Sequence, residues 1–302
     1  MSRAVAGRLQ SARKAMNRLF DTNTKLQSYS HRYSTVVRGA KYSQDYAQYL
    51  VLPNGEVGSY FHDIPLGLDI ERRTVNMVVE VPRWSNGKFE ISRDEDFNPI
   101  KQDVKDGKPR FVNNIYPFKG YMHNYGAIPQ TWENPATEGL PGLKGDNDPL
   151  DCCEIGSAVY STGEIRRVKV LGALALIDDG ELDWKVIVID CEDPKSSELH
   201  TLEDVRRVFP SLLDDTRTWF RNYKIPAGKP ANNFAFDGQY QDVAKTLHVI
   251  QECHSSWKDL IGGKVQYSKL PNATRAGKNV RMEESKLPDA PIPPAVDTWY
   301  HV

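Results

Sequence analysis

The sequence predicts a mainly β fold with α-helices added late in the chain. Three observations carry this. Runs rich in Val, Ile, Tyr and Phe, bounded by Gly, Pro, Asn and Asp, recur from Tyr46 to Ile189. Apolar residues at helical spacing appear only after Thr201, a basic leader apart. No long uncharged apolar run is present, so nothing reads as a membrane-spanning helix, and an integral membrane protein is not expected.

The leader comes first. Residues 1–20 hold Arg3, Arg8, Arg13, Lys14 and Arg18 and no acidic residue. Val5, Leu9, Ala12, Met16, Leu19 and Phe20 fall within an arc of roughly 100° on a helical wheel. A basic surface helix is the plainer alternative. The polar stretch from Ser28 to Thr35, with Arg32 just ahead of a cut site, favours a mitochondrial transit peptide over residues 1–33. A mature protein starting near Ser34 in the mitochondrial matrix is then expected.

Tyr46 to Leu52 reads as a strand closed by Pro53-Asn54-Gly55, and Val57 to Phe61 as its answer. Val75 to Val81 is the next strand, with Glu80 among apolar neighbours. Ser85-Asn86-Gly87 reads as a hairpin turn and Lys88 to Ile91 as the return strand. Arg110-Phe111-Val112 is a short strand, and Tyr121, His123 and Tyr125 lie between two glycines. Residues 133–144 form a loop punctuated by Pro135, Gly139, Pro141 and Gly142.

That loop leads into Asp146-Asn147-Asp148-Pro149-Leu150-Asp151. Asp146 and Asp148 project to one side if the segment is extended, as Pro149 favours. At ~5 Å and an effective dielectric of ~20, two carboxylates repel by roughly 3 kcal/mol. A folded chain tolerates this when a cation sits among them, and oxygen-only ligands suit Mg²⁺ before Zn²⁺. An EF-hand does not fit, because Pro149 intrudes and the required glycine is missing.

Val168 to Ile177, broken by Gly172, and Trp184 to Ile189 make a hairpin whose tip, Asp178 to Asp183, is acidic. Thr201 starts a helix that Pro210 stops, and Ser211 caps a second running to about Tyr223. Tyr223 to Pro230 is a basic loop. A long amphipathic helix spans Gln239 to Leu260 and ends at Gly262 and Gly263. The domain is thus placed at 34–263. Residues 264–302, rich in proline, form an extended arm packed on it, with Trp299 and Tyr300 anchoring the tip. The four cysteines include no CxxC pair and are read as reduced thiols.

Sorted by charge, the unusual residues form an acidic set (Glu80, Glu90, Asp146, Asp148, Asp151, Asp178, Asp183) and a basic and phenolic set (Lys88, Arg110, Lys185, Tyr223, Lys224, with Tyr121 and Tyr125). One set suits several divalent cations, the other the oxygens of a polyanion. Together they are phosphoryl-transfer equipment. No Walker loop, Rossmann glycine pattern or kinase loop is present, so the phosphate compound is small. The net charge of −1 and the carboxylates speak against nucleic acid, the rival partner class.

The chain resembles the soluble family I inorganic pyrophosphatases. The resemblance rests on Asp146 to Asp151 as Asp-x-Asp-Pro-x-Asp, Val79 to Trp84, Lys88-Phe89-Glu90, His123 to Gly126, Asp178 to Lys185 and Trp219 to Pro226. It runs from about Gly39 to Gly263, and with the leader it is nearest the fungal mitochondrial type. It implies a five-stranded OB-like β-barrel with flanking helices, and hydrolysis of pyrophosphate to two orthophosphates by metal-activated water. Several Mg²⁺ ions per site are implied, held by Glu80, Glu90, Asp146, Asp151, Asp178 and Asp183. Asp148 as general base, with Tyr125 and Arg110, makes the implied catalytic group, and Lys88, Arg110, Lys185, Tyr223 and Lys224 hold phosphate. A homodimer is implied, with Arg83, Trp84 and Trp299 as interface candidates.

Overall fold

The computed structural model describes residues 33–302, so the expected leader lies outside the described residues except for Tyr33. In chain order, strands β1 (Ser34–Ala40) and β2 (Ala47–Val51) form an antiparallel pair. Then follow β3 (Thr74–Val81), β4 (Phe89–Ile91), β5 (Ile100–Gln102), β6 (Asn124–Ala127) and β7 (Asp151–Glu154). The long hairpin β8 (Ile165–Asp178) and β9 (Glu181–Asp190) comes next. Helices α1 (Leu202–Val208), α2 (Leu212–Asn222) and α3 (Val243–Ile261) complete the domain.

Five of these strands close on one another. β3 pairs with β6, β6 with β7, β7 with β9, β9 with β8, and β8 back with β3. All contacts are antiparallel except β7–β9. Closure removes the unpaired edges of the sheet. This is the five-stranded barrel that the resemblance implied. Alternate residues of the ring serve two cores, as a period of two requires. Leu182, Trp184, Val186 and Val188 of β9 pack with Val243, Leu247 and Ile250 of α3. Ile187 and Ile189, with Tyr125 and Cys153, face a second core containing Trp219 and Phe220 of α2. Gly172 is the site of a register shift in β8, which accounts for the break seen in the sequence.

The second sheet is an outer layer of β1, β2, β5 and β4. Here the structure corrects the hairpin expected at Ser85-Asn86-Gly87, because β4 pairs with β5 and not with β3. The backbone between them is engaged elsewhere. Trp84 N–H donates to the Tyr121 carbonyl, Val112 N–H to Asn86 and Lys88 N–H to Arg110, so the chain cannot zip back on itself. Other expectations change in extent. The answer to β2 shrinks to Val57–Gly58, and Phe111 makes only an isolated bridge to Gly87.

Thr201 caps α1 with a full capping box to Asp204. Ser211 holds the N-cap position of α2 but makes no side-chain cap. α3 starts at Val243, capped by Asp242, later than the apolar spacing suggested. Residues 264–302 run along the domain surface. Ser285–Leu287, β10, adds a parallel strand beside β1, and Trp299–Tyr300, β11, pairs with Asn114–Ile115. The four cysteines are free thiols.

Candidate active site

The register of the closed ring assembles the site. The parallel pair β7–β9 sets Asp151 opposite Lys185, and β8–β9 sets Asp178 opposite Glu181 at the hairpin tip. β6 sets Ala127 opposite Asp151, which brings Tyr125 onto the diagonal. An isolated bridge between Gly145 and Leu182 lays the acidic loop alongside β9, next to Asp183. Only glycine fits at 145, since a Cβ there would stand 2.4 Å from the Glu133 carbonyl.

A cavity of about 520 Å³ opens between this ring, β4 and α2. It is lined by every candidate site residue except Arg110. Lys185 is buried at the centre. Its ammonium donates to Asp151 Oδ2 and Asp183 Oδ1, each at 2.5 Å, and to Tyr125 Oη at 2.8 Å. These use all three donors of the ammonium. Burial works against its charge, but the two carboxylates outweigh this and hold its pKa well above the usual lysine range. Tyr125 Oη also donates to Asp151 Oδ2. Lys224 pairs with Asp178, and Tyr223 Oη donates to the same carboxylate at 3.2 Å. Lys88 bridges Glu90 at 2.5 Å and Asp103 at 2.8 Å. Arg110 stands behind Lys88 and gives Nη1 to the same Asp103 oxygen at 2.6 Å.

The carboxylates are arranged as for a cation. Burial, with Asp148 close by, pushes Asp146 well above the usual carboxylate range. Burial and Asp151 do the same for Glu80, although Ile91 N–H donates to its Oε1 at 2.7 Å. Asp183 is raised to about 7 by burial, against the pull of Lys185. Asp148 is raised to about 7 by burial, with Arg93 Nε 3.2 Å away opposing. A bound cation reverses such shifts, because it supplies the charge that the ionised oxygens lack.

The acidic loop is not extended as expected, yet Asp146 and Asp148 still line the same cavity. Asn147 sits at φ 74° and turns the chain, so that Asp148 N–H donates to Asp146 Oδ1 at 2.9 Å.

Three residues that the sequence did not flag belong here. Glu133 is buried, and one oxygen each of Glu133, Asp146 and Asp183 lie within 4.8 Å of one another. Glu133 Oε1 accepts from Trp184 N–H at 3.1 Å, while Oε2 has no partner. An unpaired buried carboxylate oxygen beside two others fits a divalent cation bound by oxygen ligands. Asp103 orients both Lys88 and Arg110. Arg93 follows Glu90 in the chain and reaches Asp148 and the Asp146 carbonyl. In sequence, Glu133 is marked only by its place beside Trp132, and the other two read as surface charges. His123 is not a ligand, for its buried ring bonds Thr216 through Nε2 at 2.7 Å.

The Inorganic pyrophosphatase family model matches residues 77–258. The mitochondrial inorganic pyrophosphatase of Saccharomyces cerevisiae is 58 % identical, over 97 % of each chain. The inorganic pyrophosphatase of Kluyveromyces lactis is 49 % identical, over 89 % of this chain and 98 % of its own. Among solved structures, the inorganic pyrophosphatase from Schistosoma japonicum superposes with a TM-score of 0.80 at 41 % identity, covering 89 % of this chain and all of that one. An N-terminally truncated vacuolar soluble pyrophosphatase of Trypanosoma cruzi, in complex with PPi, gives 0.70 at 40 % identity, over 76 % and 91 %. Fold, site and relatives agree: the chain belongs to the inorganic pyrophosphatase family.

Proposed function

We propose that the chain is an inorganic diphosphatase that hydrolyses pyrophosphate to two orthophosphates with several Mg²⁺ ions as cofactor. The observation that carries this is the cavity, which carboxylates from β3, β4, the acidic loop and the β8–β9 hairpin line together with Lys88, Lys185, Tyr223 and Lys224. Asp146, Asp151 and Asp183, joined by Glu133, hold the first cation, and Glu90 and Asp178 serve further ones with Glu80 behind them. When bound, Mg²⁺ lowers the pKa of a coordinated water and neutralises phosphate charge.

The chain's own residues do the rest. Asp148 takes the proton of the attacking water as the new bond to phosphorus forms. The bridging P–O bond breaks, and its electron pair leaves with the second phosphate. Lys224 and Tyr223 bind oxygens of one phosphate and Lys88 the other, and Lys185 would join the first pair once Asp151 and Asp183 turn from its ammonium to a cation. Arg110 adds its charge from behind Lys88. Tyr125 fixes Asp151 and Lys185 relative to each other. The test is phosphate release from pyrophosphate with Mg²⁺ and with excess chelator. Full turnover in chelator refutes the metal part, and no turnover with Mg²⁺ refutes the whole.

The functional unit is a homodimer through Arg83, Trp84 and Trp299. In support, Trp84 is 55 % exposed and Trp299 44 % exposed. Asn86, near Trp84, bonds Asn114, the strand partner of Trp299. Large exposed aromatics grouped in this way mark contact surfaces. Sedimentation of Trp84→Ser should show monomer where the native chain shows dimer, and an unchanged dimer counts against this surface. The protein resides in the mitochondrial matrix. The acid-free leader supports this, and the mass of the mature chain tests it.

A further inference from the structure

The residue between the two carboxylates of the acidic loop makes more contacts than a turn needs. Asn147 holds the left-handed conformation, which Asn adopts at little cost. Its backbone N–H donates to the Glu133 carbonyl at 2.9 Å. Its Oδ1 accepts the indole N–H of fully buried Trp132 at 3.0 Å. Its Nδ2 donates to the carbonyl of Lys269, in the C-terminal arm, at 2.9 Å. Tyr267 and Lys269 of the arm line the same cavity as the carboxylates.

The arm is fastened a second time three residues later. Asn272 N–H donates to the Arg93 carbonyl at 2.6 Å, and its own carbonyl accepts from His62 Nε2 at 2.9 Å and Asn98 Nδ2 at 3.0 Å. Arg93 in turn holds Asp148 and the Asp146 backbone. The arm therefore braces the acidic loop from two sides, once through Asn147 and once through the backbone of Arg93.

We propose that Asn147 is a positioning residue for Asp146 and Asp148, and that the C-terminal arm, through the Lys269 carbonyl and Asn272, holds it in place. Metal binding and arm docking are then coupled, and the coupling is reciprocal. This rests on the functional reading only in taking the acidic loop as a cation site.

The experiment uses the full chain and Mg²⁺ alone. Asn147→Gly keeps the left-handed backbone accessible and removes both side-chain bonds. Its Mg²⁺ midpoint, followed by tryptophan fluorescence, should rise about tenfold, the scale of a lost supporting contact to a ligand. In the native chain Mg²⁺ should slow tryptic cleavage after Lys269 severalfold, and Asn147→Gly should lose that protection. Asn272→Ala, which removes the side-chain bonds from Nδ2 to Asp96 Oδ1 at 2.9 Å and the Asp94 carbonyl at 3.4 Å beside the second fastening, should shift the midpoint in the same direction. Thermal unfolding of the metal-free variants, close to native, shows that the fold is intact. An unchanged Mg²⁺ midpoint in Asn147→Gly overturns the inference. So does a raised midpoint with native protection at Lys269, for Asn147 would then act without the arm. Neither readout uses pyrophosphate, so failure here and failure of hydrolysis are separate results.

Discussion

Glu133→Gln isolates one buried carboxylate beside Asp146 and Asp183. Oxygens of Glu133, Asp146 and Asp183 lie within 4.8 Å of one another. At that spacing and an effective dielectric of ~20, each ionised pair repels by roughly 3 kcal/mol, so three pairs approach 10 kcal/mol. That equals a typical domain's whole stability. The metal-free chain avoids the cost by keeping protons on the cluster, and accordingly burial and Asp146 push Glu133 well above its usual range. Glutamine retains the shape and an acceptor for Trp184 N–H, and removes the charge that Glu133 adds to the cluster.

Two consequences separate a cation ligand from a structural acceptor. The metal-free variant should be at least as stable as the native chain. Its Mg²⁺ affinity should fall 10- to 100-fold, or about 1.4–2.7 kcal/mol. Since ligand stabilises by RT ln(1 + [L]/Kd), the rise in Tm on adding Mg²⁺ should shrink by several degrees. Calorimetric titration and thermal melts at several Mg²⁺ concentrations measure both. If Glu133→Gln binds Mg²⁺ like the native chain, Glu133 only supports Trp184 and has no part in the cation site.

Asp148→Asn should lower turnover by ~10²–10⁴-fold while leaving the Mg²⁺ midpoint nearly native, because an amide keeps the shape but accepts no proton; near-native turnover moves the base elsewhere. His62 should set an acid limit on stability. Burial lowers its pKa to about 4, with its Nδ1 accepting from Trp257 Nε1. The unfolded chain takes up a proton below ~6.5 that the folded chain refuses until about 4, so this stability is whole above 6.5 and falls by roughly 3 kcal/mol across that window. Urea unfolding of the native chain and His62→Phe at pH 7 and pH 4 checks it, and equal pH slopes refute it.

Much of this was readable from sequence because it is local. The acidic loop, the β8–β9 hairpin with its acidic tip and the late helices each carry their signal within one stretch. The lining residues were recognisable as charges placed among apolar runs, as with Glu80 in β3. What escaped depends on contacts distant in sequence. β4 has the pattern of a return strand, and only the bonds made by Trp84, Lys88 and Val112 turn it to the other sheet. Glu133 sits in a proline- and glycine-rich loop with no periodicity to show that Gly145 will pack against its backbone. Arg93 lies within Ser92-Arg93-Asp94-Glu95-Asp96, a charge run that ordinarily stays solvated. Pro149 favours an extended Asp146 to Asp148, but Asn147, held by Trp132 and Lys269 from elsewhere in the chain, turns it.

The position of the site within the fold follows from the strand pair that closes the ring. β7 and β9 run parallel, with Asp151 opposite Lys185, Cys152 opposite Val186 and Cys153 opposite Ile187. Because side chains alternate, a slip of one residue would carry Val186 into the cavity beside Asp151 and bury Lys185 in the core against α3. The apolar residues penalise that slip as strongly as the charges do, for Cys152 and Val186 belong to one core and Cys153 and Ile187 to the other. Packing therefore holds Asp151, Asp183 and Lys185 together in the absence of any cation, at the electrostatic cost seen in their neighbours' raised pKa values. The backbone of the site is thereby preorganised, and metal or substrate binding spends its energy on exchanging side-chain partners, such as those of Lys185, and not on moving strands.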